Sequence, residues 1–293
     1  MKDKEKMNVN KKEKTGLVLE GGGLRGIFTA GVLDFFLEKN IEFDGCIGVS
    51  AGSCHACSYL SKQYKRAFNV SVDYLDDKRY CSMHSLITTG DLFGVDFVYG
   101  EIPDKLNPID NETFMKSRTR FQAVITNCRT GEAEYPDVKD FRTDTVYIRA
   151  SSSLPFLSKM VKINGELYLD GGVSDSIPIK KSIENGNIKN IIIMTRDKKY
   201  RKKQSKLGKI SAIRYKKYPK FVELMNTRFS RYNEILEYIY ELERQGKVFI
   251  IQPETPLNLG RIEKNREKLT NVYNIGYKEA EKRYSAMMEY LAK

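Results

Sequence analysis

Apolar residues along this chain recur in two rhythms. Short unbroken runs such as Leu17-Val18-Leu19 and Cys46-Ile47-Gly48-Val49 predict strands buried on both faces. Between them, Ile27, Phe28, Val32, Leu33, Phe36 and Leu37 return at helical spacing and predict a covering helix. The same reading predicts a helix over 53–66 that continues less regularly to 79, a hairpin pairing 121–128 with 132–135 around Thr130-Gly131, and a short helix over 144–151. Apolar, β-branched segments at 189–195 and 247–252 would extend the sheet, and helical periodicity spans 218–245 and 262–292. Strands that alternate with helices in this order predict a three-layer α/β/α architecture with a mainly parallel central sheet. Between 81 and 111 the Gly, Pro and Asp content rises, while Leu92, Phe93, Val95, Phe97 and Tyr99 add apolar bulk. That pattern suits either a mobile cover or an ordinary packed excursion.

The candidate chemistry sits where strands end. Gly48-Val49-Ser50-Ala51-Gly52 closes one apolar run and opens a helix. A serine in such a turn occupies a sharp backbone corner, and Gly48 and Gly52 let the neighbouring chain pass close by, so the hydroxyl stands clear as a nucleophile. Upstream, Gly21-Gly22-Gly23-Leu24-Arg25-Gly26 follows another strand. A glycine loop at a helix N-terminus offers successive N–H groups to a tetrahedral oxyanion, and Arg25 would hold the loop or face an anionic head group. The loop also fits G-x-G-x-x-G, but a dinucleotide site wants an acidic residue ending the second strand; here Glu42 and Asp44 precede it and Ser50 ends it.

A serine needs a base, commonly histidine. Of the two histidines, His55 lies five residues after Ser50 and so turns away from it on a helix; His84 falls in a loop-like stretch. No histidine follows, which leaves an aspartate. Asp170, at the end of Leu167-Tyr168-Leu169-Asp170-Gly171-Gly172, fits a strand-end base, with a turn-capping role as its bland alternative. Asp175 reads as a turn residue before Ile177-Pro178.

The ordered set of a G-G-G-x-R-G loop, a G-x-S-x-G elbow and a D-G-G turn resembles the patatin-like phospholipase family, from about Gly16 to the C-terminal helices, and includes the stretch Ala150-Ser151-Ser152-Ser153-Leu154-Pro155. The resemblance implies a Ser50–Asp170 catalytic dyad, an oxyanion loop shaped by Gly21, Gly22, Gly23, Arg25 and Gly26, and cleavage of acyl esters of phospholipids or lysophospholipids without a metal or cofactor. A low-turnover lipid- or nucleotide-binding regulator on the same fold is the alternative.

Composition sets the remaining bounds. With 293 residues, 41% of them hydrophobic, the chain can bury a substantial core, and no apolar run approaches a membrane span. Residues 1–14 read as a disordered polar tail, 15–180 as the catalytic core, and 181–293 as an extension of the same α/β unit. Five cysteines, an odd number, suggest reduced thiols and a cytoplasmic setting. Cys54-His55-Ala56-Cys57 lacks partners for a closed metal site and reads as buried structural thiols. Twelve Lys or Arg against one acidic residue at 196–220 carry +11 of the net +12. That basic segment suggests peripheral docking on the anionic inner face of a membrane, or a solvated loop with no partner, rather than nucleic-acid binding.

Overall fold

The computed structural model describes residues 13–293, so most of the expected polar tail, 1–12, lies outside the described residues. The carbonyl of Lys14 already accepts from Ile188 N at 2.8 Å, beside the sheet. Strand β1 (Thr15–Leu19) runs through a 3-10 turn at Gly23–Gly26 into α1 (Ile27–Glu38), and β2 (Gly45–Val49) runs through Ser50 into α2 (Ala51–Leu60). The helix expected over 53–79 breaks after Leu60. Lys62 and Lys65 take positive φ in the intervening turn, and α3 (Arg66–Val72) starts afresh. There follow α4 (Met83–Thr89), a π-helical segment at Phe97–Leu106, and α5 (Asn111–Met115). Leu92, Phe97 and Ile102 are buried in the main core cluster, so 81–111 packs as part of the body; His84 lies on α4 rather than in a loop.

The remaining elements are β3 (Arg120–Asn127), β4 (Ala133–Glu134), α6 (Phe141–Ser151), β5 (Val161–Ile163), β6 (Glu166–Asp170), α7 (Ile179–Glu184), β7 (Lys189–Ile193), α8 (Gly208–Arg214), α9 (Pro219–Arg244), β8 (Val248–Ile251) and α10 (Arg266–Ala292). They form one sheet of order β5-β6-β3-β2-β1-β7-β8, with β4 on β3. From β3 to β8 the strands are parallel, as their apolar runs require; at the β3 end, β4, β6 and β5 add antiparallel pairs. The expected hairpin is the β3–β4 pair, with Ile125 opposite Glu134.

Alternation along each strand divides the core. Leu17, Leu19, Cys46, Phe121, Ile191, Ile193 and Ile251 face the layer containing α1, α2 and α10, whereas Val18, Ile192 and Ile250 face Leu236 and Ile239 of α9. Each such fully buried Leu or Ile contributes about 1.5–3 kcal/mol. Helices α1 and α10 touch through glycines: a side chain at Gly31 would strike the backbone of Tyr273, and one at Gly276 the backbone of Phe28. Tyr273 also donates to the buried Asp34 at 2.8 Å. Burial drives the Asp34 carboxyl up to about 6, against that bond and the amide of Lys65.

Strand order reverses at β1, with β2 on one side and β7 on the other. In open parallel sheets the crevice beyond the carboxyl ends at such a reversal is where ligands bind. The glycine loop, Ser50 and Arg196 all lie just past those strand ends.

Candidate active site

Ser50 sits between β2 and α2 with φ 54° and ψ −123°, a conformation that costs a non-glycine residue about 1–3 kcal/mol. Local bonds hold it there. Its carbonyl accepts from Ser53 N at 2.9 Å, Cys54 N at 3.2 Å and Ser53 Oγ at 2.6 Å, while its own N–H donates to Ser151 Oγ at 2.9 Å. A side chain at Gly48 would collide with Ser53, and one at Gly52 with the Leu19 carbonyl, so this corner needs both glycines.

The Ser50 hydroxyl donates to Asp170 Oδ2 at 2.7 Å, across 120 positions of sequence, and both residues are buried, at 6% and 3% exposure. The other carboxylate oxygen, Oδ1, accepts from Gly172 N at 2.7 Å, so the turn that Gly171-Gly172 makes fixes the carboxylate. Gly171 passes against the Val124 carbonyl, where no side chain fits. Thr126 Oγ1 and Ser153 secure the backbone of Asp170, at 2.8 Å each. Burial raises the Asp170 carboxyl above its usual range; the charge of Arg228, the Ser50 hydroxyl and the Gly172 amide pull it back down in part.

Gly21, Gly22 and Gly23 cross directly beside this pair. A carbon added at Gly21 would stand 3.0 Å from Ser50 Cβ, and one at Gly26 would stand 2.8 Å from Ala51 Cβ. Gly23 has φ +58° and abuts the backbone of Arg261, whose carbonyl accepts from Leu24 N at 3.0 Å. Arg25 is only 6% exposed, and its Nε finds no acceptor.

Two chambers meet at Ser50. The first, about 130 Å³, is lined by Ala51, Cys54, Val70, Phe93, Val98, Tyr99 and Ile102 among others, and is mostly apolar. The second, about 30 Å³, is lined by the glycine loop, Asp170, Glu20, Arg25, Arg196, Lys202, Arg228, Tyr232 and Arg261. Ser50, Gly23 and Leu154 belong to both. His55 lines the apolar chamber, and burial lowers its imidazole to about 4, so it is neutral at neutral pH. Asp175 lies elsewhere, accepting from the Tyr135 hydroxyl at 2.8 Å. Cys54 meets Ser152 at 3.3 Å, and all five cysteines are unpaired.

Sequence reasoning brought together the residues of three motifs but gave no role to Ser151, Thr126, Glu20, Arg228 or Arg261. The serine stretch at 151–153 was a visible signal. Arg228 and Arg261 sit in a helix and a loop with no local pattern to single them out.

Known proteins resemble this chain over most of its length. The patatin-like phospholipase family model matches residues 17–182, and a domain of unknown function (DUF6363) matches 218–292. The uncharacterized protein YjjU of Escherichia coli (strain K12) is 27% identical over 273 residues, covering 89% of this chain and 74% of that one. The probable lipid hydrolase 463L of Invertebrate iridescent virus 6 is 23% identical, covering 90% and 87%. Lysophospholipase NTE1 of Candida albicans is 29% identical over 190 residues, covering 61% of this chain and 13% of its own. Among solved structures, VipD from Legionella pneumophila aligns with a TM-score of 0.45 at 14% identity, over 96% of this chain and 67% of that one. With more than half of its length matched by that family model, this chain belongs to the patatin-like phospholipases, a membership that supports lipid hydrolysis.

Proposed function

We propose that the protein is a serine acyl-ester hydrolase of phospholipase A or lysophospholipase type, working through a Ser50–Asp170 dyad. The observation that carries this reading is the 2.7 Å bond from the Ser50 hydroxyl to a buried carboxylate at the junction of an apolar and a polar chamber. Asp170 takes the proton as Ser50 Oγ bonds to the ester carbonyl carbon. The resulting oxyanion is stabilised by amides of Gly21, Gly22 and Gly23, which lead into the 3-10 turn ahead of α1. The tetrahedral adduct expels the alcohol, which receives the proton from Asp170 and leaves an acyl-serine. Water then attacks that acyl group, gives its proton to Asp170, and the fatty acid departs as Ser50 recovers its proton. A raised carboxyl suits Asp170 to this work, since a stronger base accepts a hydroxyl proton more readily, and its turn orients it without a third residue.

Residues 15–180 and 181–293 work as one unit in this reading, because β7 and β8 extend the same sheet and the segment after β7, α9 and the loop at Arg261 line the polar chamber. The basic segment docks on anionic lipid from the cytoplasmic side. Within it, α8 exposes Ile210 and Ile213 next to Lys209 and Arg214, an apolar edge set among cations. Tyr215, at the end of α8, accepts from the amide of Phe156, close along the chain to the Leu154 that lines both chambers, so docking would bring the site to the lipid. No helix among the described residues is long and apolar enough to cross a membrane.

A fluorophosphonate probe tests the nucleophile. It is expected to label wild-type protein at Ser50 and to leave Ser50→Ala unlabelled. A folded wild-type protein that resists the probe and cleaves no ester would favour the regulator on this fold instead.

A further inference from the structure

The polar chamber holds more positive charge than the hydrolysis of an uncharged ester needs. Five cations line it, Arg25, Arg196, Lys202, Arg228 and Arg261, and none of them forms an ion pair among the described residues. The two carboxylates present are engaged elsewhere. Glu20 accepts from Thr195 N at 2.6 Å, Thr195 Oγ1 at 3.1 Å and Tyr232 Oη at 2.6 Å, and Asp170 serves Ser50 and Gly172.

Three of these cations, Arg228, Lys202 and Arg196, are held by side-chain contacts. Arg228 Nε donates to the Gly172 carbonyl at 2.5 Å, which anchors it to the turn of the base. The backbone of Arg261 is tied to the glycine loop through Leu24, and its side chain is exposed. The backbone of Lys202 exchanges hydrogen bonds with Asn233 at 2.8 and 3.0 Å, and its ammonium lies 4.3 Å over the Tyr232 ring. Arg196 stacks on Tyr200 at 4.4 Å. Arg25, more than nine-tenths buried, keeps an Nε with no acceptor. Burial first, and then repulsion from neighbouring guanidinium groups, lower Lys202 to about 7 and Arg228 to about 10. Arg25 is buried, Arg196, Lys202 and Arg228 are half-buried and Arg261 is exposed, and a group of cations without paired carboxylates beside a nucleophile marks the seat of an anion.

We infer that this chamber binds the phosphate of the acyl-ester substrate, and that residues after the matched catalytic region, Lys202, Arg228 and Arg261 foremost, give the enzyme its preference for lipids with a compact anionic head. The inference rests on the hydrolase reading above and assigns its substrate class. Size agrees with charge. The chamber is small, about 30 Å³, and open to solvent, so a compact head fits beside the cations, which would also repel a trimethylammonium. Position agrees as well. Ser50 lines both chambers, so an acyl chain in the apolar one places the ester at the hydroxyl and leaves the few bonds of a glycerol backbone to reach the cations. A phosphate at the end of a long linker, as in an acyl thioester of a nucleotide cofactor, does not satisfy that spacing. Of the basic segment, Arg196 and Lys202 thus turn inward to the head group while the lysines around α8 stay outside.

The test compares soluble esters of one acyl chain: lysophosphatidic acid, lysophosphatidylcholine and monoacylglycerol. Wild-type kcat/KM is expected to favour lysophosphatidic acid over monoacylglycerol by about tenfold to a hundredfold, the worth of one or two charge-assisted hydrogen bonds. Lys202→Gln and Arg261→Gln should each reduce that ratio about tenfold, mainly through KM for the phosphorylated ester. Octyl phosphate should raise the Tm of wild-type protein and of Ser50→Ala, but raise that of the Lys202→Gln, Arg261→Gln double variant much less. Monoacylglycerol hydrolysis with no preference for the phosphorylated ester would overturn the phosphate seat while leaving the hydrolase standing. If no ester is cleaved, the hydrolase reading fails and the octyl phosphate shift on Ser50→Ala still decides the seat. Inorganic phosphate that stabilises as strongly as octyl phosphate would overturn the lipid assignment in favour of a free anion.

Discussion

The two chambers that meet at Ser50 are built by opposite rules. The apolar one is walled by α2, α3 and the 81–111 excursion, with side chains that exclude water and make non-directional contacts. The polar one is walled by strand ends, α9 and the loop at Arg261, with Arg228 fixed by a hydrogen bond to Gly172 and Arg196 and Lys202 lying over tyrosine rings. The difference teaches which property each can select. An apolar wall measures chain length, at about 1–3 kcal/mol for each misfitted group, whereas a fixed charge distinguishes sign and shape. The serine stands where the two selections are combined.

The largest expected effect removes the partner of the serine that both chambers share. Asp170→Asn should lower kcat for every ester by about 10²–10⁴, the usual contribution of a positioned base. The folded-state carboxyl of Asp170 is raised, so the stability this group contributes is fully present below the unfolded value of about 3.9 and is lost as pH rises through the higher folded value. An uncharged amide in its place escapes that loss. The Asp170→Asn variant should therefore melt no lower than wild type at pH 7, with its advantage disappearing below about pH 4. An inactive variant that is also unfolded at pH 7 would remove the link between burial and catalysis.

Next in size is a change confined to one chamber. Val70→Phe narrows the apolar side and should cut the preference for long over short p-nitrophenyl esters about tenfold or more. Its preference between phosphorylated and unphosphorylated heads should follow wild type; equal loss on both measures would mean that the chambers are not separable.

A pH profile sharpens the comparison further. The acid limb of kcat/KM should lie above the ordinary aspartate range. Arg228→Gln removes the charge that most strongly draws Asp170 back down, and should move that limb to still higher pH. A limb that stays in place would show that the two groups are not electrostatically coupled.

The smallest effect is expected at His55. Buried, neutral and facing the apolar side, it is not positioned as a base, so His55→Gln should retain catalysis within about tenfold, the loss limited to packing. A collapse as deep as that of Asp170→Asn would turn attention to a serine–histidine arrangement.

How much of this was legible beforehand follows from how locally each feature is encoded. The strand–glycine loop–helix at Leu19–Ile27 and the strand–serine–helix at Val49–Ala51 are short, contiguous and periodic, so the chain announced them. The antiparallel β5–β6 pair, the break between α2 and α3 and the small helix α8 were missed or misjudged. The β5–β6 pair turns on Asn164-Gly165, both at positive φ, a signal written in the neighbouring residues; the other two depend on what the segment packs against, and in the first of them Lys62 and Lys65 adopt positive φ without being glycine.

The sequence by itself determined the alternating strands and helices and the three motif turns, and it pointed to an aspartate rather than a histidine beside Ser50, because each is written in neighbouring residues or in the scarcity of histidine along the chain. Only the tertiary structure decided that the Ser50 hydroxyl meets Asp170 at 2.7 Å, that 81–111 forms a wall, and that cations from the segment after β7, from α9 and from the loop at Arg261 surround the same point. The physical reason is that burial and unpaired charge belong to the enclosure rather than to any segment. A lysine reads the same in sequence whether water or four other cations surround it.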